Sequence, residues 1–268
     1  MDNRGGENHG LISEHGLSFY AEFPSTRVLF DFGPGKDTLA NARKLDIPLD
    51  TIQYAVGSHG HYDHAGGYPA FVEAGLKAPL VTGKGYFLEK YGVEDIRATY
   101  LGTGFDEGYL KEKGVRHVEC DGLLELAKGV FLVGNFTRRY DFETIPERFK
   151  LRDGDGWRPD HFDDEICLVH QLKDGLFVLA GCSHPGILNI LSTVEDRFHQ
   201  PIIGVAGGTH LMEADEARIR KTLDVMKGFG MQFIGFNHCT GERFRQLVAE
   251  VPELHAVYLG AGDSLFLE

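Results

Sequence analysis

Three histidines and an aspartate fall within six residues, His59-Gly60-His61-Tyr62-Asp63-His64, directly after the apolar run Ile52-Gln53-Tyr54-Ala55-Val56. The run reads as a buried strand that ends in a loop. A strand end is a rigid platform, from which His59 and His61 can reach one ion while Asp63 and His64, as the loop turns back, serve a second. Imidazole and carboxylate are donors that suit Zn(II), Fe(II) or Mn(II). The chain therefore has to fold so that further donors arrive at this strand end from elsewhere.

At 268 residues with 42% hydrophobic content the chain can bury a full core, most economically as one large α/β domain over residues 1–268. A formal charge of −13 argues against a broad electrostatic footprint for nucleic acid or an anionic membrane. The expected partner is a small-molecule substrate, and the oligomeric state is left open. The start, Met1-Asp2-Asn3-Arg4-Gly5-Gly6-Glu7-Asn8, lacks the apolar segment of a signal peptide, and no later run reaches membrane-spanning length, so a cytoplasmic location is expected. Cys120, Cys167, Cys182 and Cys239 have no CxxC spacing and read as reduced thiols.

Short apolar runs alternate with helical patterns. Strands are predicted near Gly16–Glu22, Arg27–Phe32, Thr51–Val56 and Leu80–Thr82, with a helix over Asp37–Lys44. Two hairpins follow, Leu123–Leu126 with Val130–Val133 and Ile166–Leu172 with Leu176–Leu179, each turn ending in glycine. Helices are predicted at Gly186–Phe198, Glu213–Lys227 and Thr240–Val251, separated by strands at Pro201–Val205 and Gln232–Phe236. Ile219, Leu223 and Met226 form a core stripe on the second of these helices. Residues 135–165 carry Arg138, Arg139, Arg148, Arg152 and Arg158 among aromatics, and read either as a flap bringing cations to an anionic substrate or as a solvated excursion.

Two further histidines follow apolar strands and precede helices. They are His184, after Leu176–Ala180, and His238, after Phe233–Phe236. His210, behind Gly207-Gly208, is a candidate substrate contact or proton shuttle. Glu14 and His15 precede an early strand and read as loop packing or a pocket wall. His117, His170, His199 and His255 belong to no constellation.

The quartet resembles the HxHxDH signature of the metallo-β-lactamase-fold superfamily, every specified position of which is filled by His59, His61, Asp63 and His64. The order of the later histidines resembles it too. The segments Glu14–Ser18, Gly181–Ile187, Gly207–Leu211 and Asn237–Gly241 resemble more narrowly the branch of 7,8-dihydropterin-6-methyl-4-(β-D-ribofuranosyl)-aminobenzene-5′-phosphate synthases and related metallo-hydrolases. The resemblance implies a four-layer αββα sandwich, with two divalent ions, zinc before manganese, iron or magnesium, at the mouth between the sheets. It also spans nearly the whole chain, although an opening strand usual in the branch is not seen before Met1-Asp2-Asn3.

One departure matters chemically. Many members carry Gly-Asp, whose carboxylate bridges both ions, where this chain has Gly181-Cys182. The upstream histidine of the usual pattern is also not recognisable, which leaves His161, Asp163, Asp164 and Glu165 as nearby alternatives. Cys182 can add a thiolate if a metal lowers its pKa. The expected sets are His59, His61 and His184 for the first ion and Asp63, His64 and His238 for the second, with Asp63 also in general acid/base duty.

Such a site implies a metal-dependent hydrolase or transferase of a small anionic molecule, phosphorylated or pterin-type, acting through a metal-bound hydroxide. A phosphodiesterase or nuclease, and a non-catalytic metal or ligand sensor, are the alternatives. Redox diiron chemistry is disfavoured because the flavodiiron pattern has glutamate where His61 stands, and spacing alone does not separate mononuclear iron chemistry.

Overall fold

Side-chain alternation along the strands sorts the core into layers. In the computed structural model, which describes residues 1–6 and 10–267, one sheet consists of β1 (Phe19–Phe23), β2 (Thr26–Phe30), β3 (Tyr54–Gly57), β4 (Leu80–Gly83) and β7 (His117–Cys120) in the order β1-β2-β3-β4-β7. The second holds β8 (Leu123–Ala127), β9 (Val130–Val133), β12 (Cys167–Gln171), β13 (Leu176–Leu179), β14 (Ile202–Gly207), β15 (Phe233–Phe236) and β16 (Ala256–Tyr258), in the order β16-β15-β14-β13-β12-β9-β8. On β2, Val28 and Phe30 point into the layer between the sheets, whereas Leu29 joins the helix side. On β13, Phe177 and Leu179 face that same middle layer, and Leu176 and Val178 face out. This is the period of two that a strand buried on both faces requires.

Helices cover both outer faces. α1 (Lys36–Lys44), α3 (Tyr68–Glu73) and α4 (Glu107–Lys113) set Leu39, Phe71 and Leu110 on the first sheet. α5 (Ile187–Phe198), α6 (Glu216–Gly228) and α7 (Glu242–Val248) set Leu191, Ile219, Leu223 and Phe244 on the second. The result is the expected αββα sandwich. Among the described residues no helix is long and apolar enough to cross a membrane.

Several predicted boundaries move, each for a local reason. The first strand begins at Phe19 rather than Gly16 because Gly16 takes φ +152° and Leu17 donates its N–H to Asp63 O, which splices this stretch to the histidine loop. The helix predicted from Glu213 starts at Glu216, where Asp215 caps it by accepting from Arg218 N. The last helix is broken at Gly241, whose φ of +86° separates a 3₁₀ turn at His238–Thr240 from α7.

The segment 135–165 is not an irregular excursion. It contains the hairpin β10 (Phe149–Asp153) and β11 (Gly156–Pro159), which pairs with β5 (Lys90–Glu94) and β6 (Arg97–Tyr100) as a third, antiparallel sheet of order β11-β10-β5-β6. This sheet carries Lys90 and Phe149 toward the ends of β3 and β13.

Candidate metal centre

The chemistry-bearing residues all leave the carboxyl ends of strands at one rim of the sandwich. Asp31 follows β2, His59 follows β3, Cys182 and His184 follow β13, His210 follows β14 and His238 follows β15. His61 caps the short helix α2 (Tyr62–Ala65), whose first turn presents Asp63 and His64. Such a rim is where α/β sheets concentrate ligand-binding groups. Asp31, Ser183, His210 and His238 take positive φ values of 59°, 61°, 48° and 49°, backbone strain concentrated at this rim.

Two donor groups form there. Asp63, His64, Cys182 and His238 each offer one ligand atom, all within 4.8 Å of one another, and His59, Cys182 and His184 do the same. His61 stands beside the second group, its ring centroid 4.8 Å from that of His59 and 4.9 Å from that of His184. All of these side chains are buried.

The partners behind the rings decide which nitrogens face inward. Asp31 Oδ2 accepts from His64 Nδ1 at 2.6 Å and from Ser58 Oγ at 2.8 Å, while its Oδ1 accepts from Ser58 N at 2.7 Å. With its proton committed to Asp31, Ser58 Oγ is the acceptor for His59 Nδ1 at 2.9 Å. Asn3 Oδ1 accepts from Gly16 N and, at 2.8 Å, from His238 Nδ1. These bonds commit the Nδ1–H of His59, His64 and His238 outward and turn Nε2 of each ring toward the centre, as a lone pair on His59 and His238 and as the position where a metal would displace a proton on His64.

Those Nε2 atoms converge. His64 Nε2 lies 3.1 Å from His238 Nε2 and 3.2 Å from Cys182 Sγ, and Asp63 Oδ2 lies 3.2 Å from His238 Nε2. His59 Nε2, His61 Nε2 and both nitrogens of His184 are buried without any hydrogen-bond partner. Buried polar atoms left unpaired are costly, so four such nitrogens at one spot fit a divalent ion. Burial holds His59, His61 and His184 well below the usual imidazole range, so they are neutral donors at pH 7. Burial also opposes charge on His64, but the carboxylates of Asp31 and Asp63 raise its pKa to about 9, which shows how strongly this spot favours a cation.

An outer ring of buried groups fixes the loops. Glu165 accepts from Ser183 N at 2.6 Å and His184 N at 2.8 Å, and burial lifts its carboxyl pKa to about 8. Asp164 accepts from Gly60 N at 2.8 Å and pairs with Lys90 Nζ at 2.9 Å, and Lys90 also pairs with Asp160 at 2.8 Å. Asp164 and Glu165, weighed as substitutes for the missing histidine, thus spend their oxygens on backbone and lysine. His161 and Asp163 are exposed away from the donor groups. Phe162 stacks on His184 at 3.7 Å with ring planes 7° apart, and Phe149 packs on His61, His184 and His210.

His210 lies at the edge, its ring 4.1 Å from that of His184, and burial pushes its pKa down to about 4. His15 is closer to the chemistry than its sequence context implies. Its Nε2 is 3.2 Å from Asp63 Oδ2, its side chain is 49% exposed, and it joins Asp63 to the surface. Of the segment's cations, Arg139 pairs with Asp196 and Arg148 with Glu213, and the Arg148 guanidinium also covers the Phe149 ring at 4.2 Å. The unassigned histidines lie elsewhere: His117 bonds Thr82 Oγ1 at 2.8 Å, His170 bonds Gly129 O at 3.1 Å, and His199 and His255 end helical turns in left-handed geometry.

Glu143 pins the same region from the other side, accepting from Leu188 N at 2.9 Å and Asn189 N at 2.8 Å in the first turn of α5. Burial raises its carboxyl pKa from 4.5 to about 7. A carboxyl whose folded pKa is raised contributes stability that is complete below its unfolded value and is lost as pH rises through the folded one. Relative to Glu143→Gln, the wild-type protein is therefore expected to lose up to about 3 kcal/mol between pH 4.5 and pH 7.5. Urea unfolding of both proteins across that range checks this, and a pH-independent difference would contradict it.

The family model of the metallo-beta-lactamase superfamily matches residues 14–171. The chain is 30% identical over 260 residues to the 7,8-dihydropterin-6-methyl-4-(beta-D-ribofuranosyl)-aminobenzene-5′-phosphate synthase of Methanocaldococcus jannaschii, covering 91% of this chain and 87% of that protein. An uncharacterised protein of the same organism is also 30% identical, over 86% of each chain. Among solved structures, a metal-dependent hydrolase of the beta-lactamase superfamily superposes with a TM-score of 0.83 at 31% identity, over 99% of this chain and 96% of that one.

Proposed function

The chain belongs to the metallo-β-lactamase superfamily, and from that premise we propose that it is a metal-dependent hydrolase or transferase acting on a small anionic substrate, phosphorylated or pterin-type. One observation carries the proposal: buried donors from three separate strand ends, those of β3, β13 and β15, converge on one spot, with four of their nitrogens unpartnered. His59, His61 and His184 would hold one divalent ion, and Asp63, His64 and His238 a second. Bound there, such ions acidify water and polarise an electrophile.

The chain's own residues supply the rest. Burial opposes charge on Asp63, but His64, His15 and His238 keep it ionised, so Oδ2, with His15 on its solvent side and His238 on its inner side, both at 3.2 Å, is an acceptor for a proton. His210, neutral at physiological pH, can accept a hydrogen bond from substrate at the edge of the site. Phe149 and Phe162 shield the reacting centre from bulk water, and Arg148 lies over Phe149, where it adds a cation for an anionic group. The archaeal relative, a dihydropterin ribofuranosylaminobenzene phosphate synthase, supports that substrate class.

Protein purified without chelators is expected to carry about two equivalents of zinc, manganese or iron by elemental mass spectrometry. It should turn over at least one member of a panel of phosphoesters, lactones and pterin diphosphates. His61→Ala should lower that turnover more than about 100-fold, beyond the loss of an outer partner. Folded protein that binds metal and ligands without turnover would replace the enzyme by a sensor.

A further inference from the structure

We propose that Cys182 Sγ is a metal ligand shared by the two donor groups, a thiolate standing where the superfamily pattern places a bridging carboxylate. The inference rests on the two-ion reading above and deepens it. Cys182 is common to both groups: its sulfur lies within 4.8 Å of the donors of Asp63, His64 and His238, and equally of His59 and His184. Zn–S and Zn–N bonds of about 2.3 and 2.1 Å at a tetrahedral angle set donors roughly 3.6 Å apart, and Cys182 Sγ already lies 3.2 Å from His64 Nε2.

The surroundings of the sulfur are those of a ligand rather than of a core thiol. Cys182 is 3% exposed, yet its Sγ meets His64 Nε2 at 3.2 Å and sits amid imidazoles and a carboxylate instead of aliphatic side chains. Its backbone is held in place, since Glu165 fixes the two peptide N–H groups that follow, and Gly181 packs against Ser58 where a Cβ would collide. Cys239 makes an internal contrast. Equally buried and close by, it donates its thiol to Cys182 O at 3.4 Å and accepts from His210 N at 3.3 Å, so its sulfur faces backbone and the Cys182 side chain and enters neither group.

With metal bound, Cys182 would give its S–H proton to solvent and hold the ions as a thiolate. A thiolate at the shared position selects softer cations, Zn(II), Fe(II) or Co(II), over Mg(II) and Mn(II). Cobalt titration of the metal-free full-length protein tests this by absorption. A thiolate-to-cobalt charge-transfer band in the near ultraviolet should grow through both the first and the second equivalent, vanish in Cys182→Ser and persist in Cys239→Ser. A band that stops growing after one equivalent while the second still binds would overturn sharing. Two bound equivalents with no such band would overturn the sulfur ligand yet leave the two-ion site standing, and failure to bind cobalt would overturn both.

Discussion

Replacing Lys90 by methionine is expected to destabilise the protein by about 3–5 kcal/mol, the range for removing one partner of a buried ion pair. Lys90 is 1% exposed, and its ammonium lies 2.8 Å from Asp160 and 2.9 Å from Asp164, both also buried. Burial alone would lower the lysine pKa, but Asp164 and Asp160 raise it, so the lysine is held charged. Without the ammonium the two carboxylates face each other in a dry environment, and one must take up a proton to fold. The deficit should therefore shrink as pH falls toward 5, because a carboxyl raised in the folded state adds stability at low pH that is lost as pH rises.

The consequence reaches the donors. Asp164 also accepts from Gly60 N, between His59 and His61, and Asp160 from Phe162 N, whose ring stacks on His184. Urea unfolding at pH 8 and pH 5, with metal content measured on the same samples, checks both parts. The triple variant Lys90→Met/Asp160→Asn/Asp164→Asn should recover much of the loss, since neutral groups leave no unpaired charge. A loss under about 1 kcal/mol at pH 8 would mean that the triad is solvated like a surface pair.

Lys90 also marks where reading the sequence stops. The quartet at 59–64 and the histidines after β13 and β15 are legible because each sits directly behind an apolar run, and the two-sheet core is legible because its strands alternate. Lys90 has no such context: it begins β5 in a sheet whose two edge strands, β6 and β11, are exposed throughout, so no apolar period announces the third sheet. Its two carboxylates come from 70 and 74 residues away. Asn3 and Glu165 are illegible for the same reason, as each acts through a bond to a backbone or ring that only the finished fold brings near. His15 had the faint signal of a histidine before a strand, and only Leu17 pairing with Asp63 O shows why it matters. The carboxylates near 161–165 show the reverse error, since proximity in sequence to a missing ligand says nothing about which way an oxygen points.

Asp31→Asn is expected to weaken metal binding by about 10–100-fold, the effect of losing a partner that orients a ligand. Asp31 is fully buried and in left-handed geometry at φ 59°, which asparagine also tolerates, so the substitution isolates the carboxylate charge from the backbone. One amide oxygen can still accept from Ser58 N. The NH₂ then falls where Oδ2 stood, facing the Ser58 hydroxyl and His64 Nδ1–H, two donors. His64 relieves the clash by giving up its Nδ1 proton, which leaves its remaining proton on Nε2, the atom that points at Cys182 Sγ and His238 Nε2. Ser58 relieves it by turning its hydroxyl proton toward His59 Nδ1, which drives the His59 proton to Nε2 as well. One buried charge thus sets the tautomers of two proposed ligands, one in each donor group, so both ions should weaken together in a chelator competition. In the metal-free variant His64 keeps its burial and the Asp63 carboxylate but loses Asp31, so its pKa should fall from about 9. Nitrogen-15 spectra of the histidine rings report both changes, and unchanged metal affinity with His64 still protonated at neutral pH would remove Asp31 from this role.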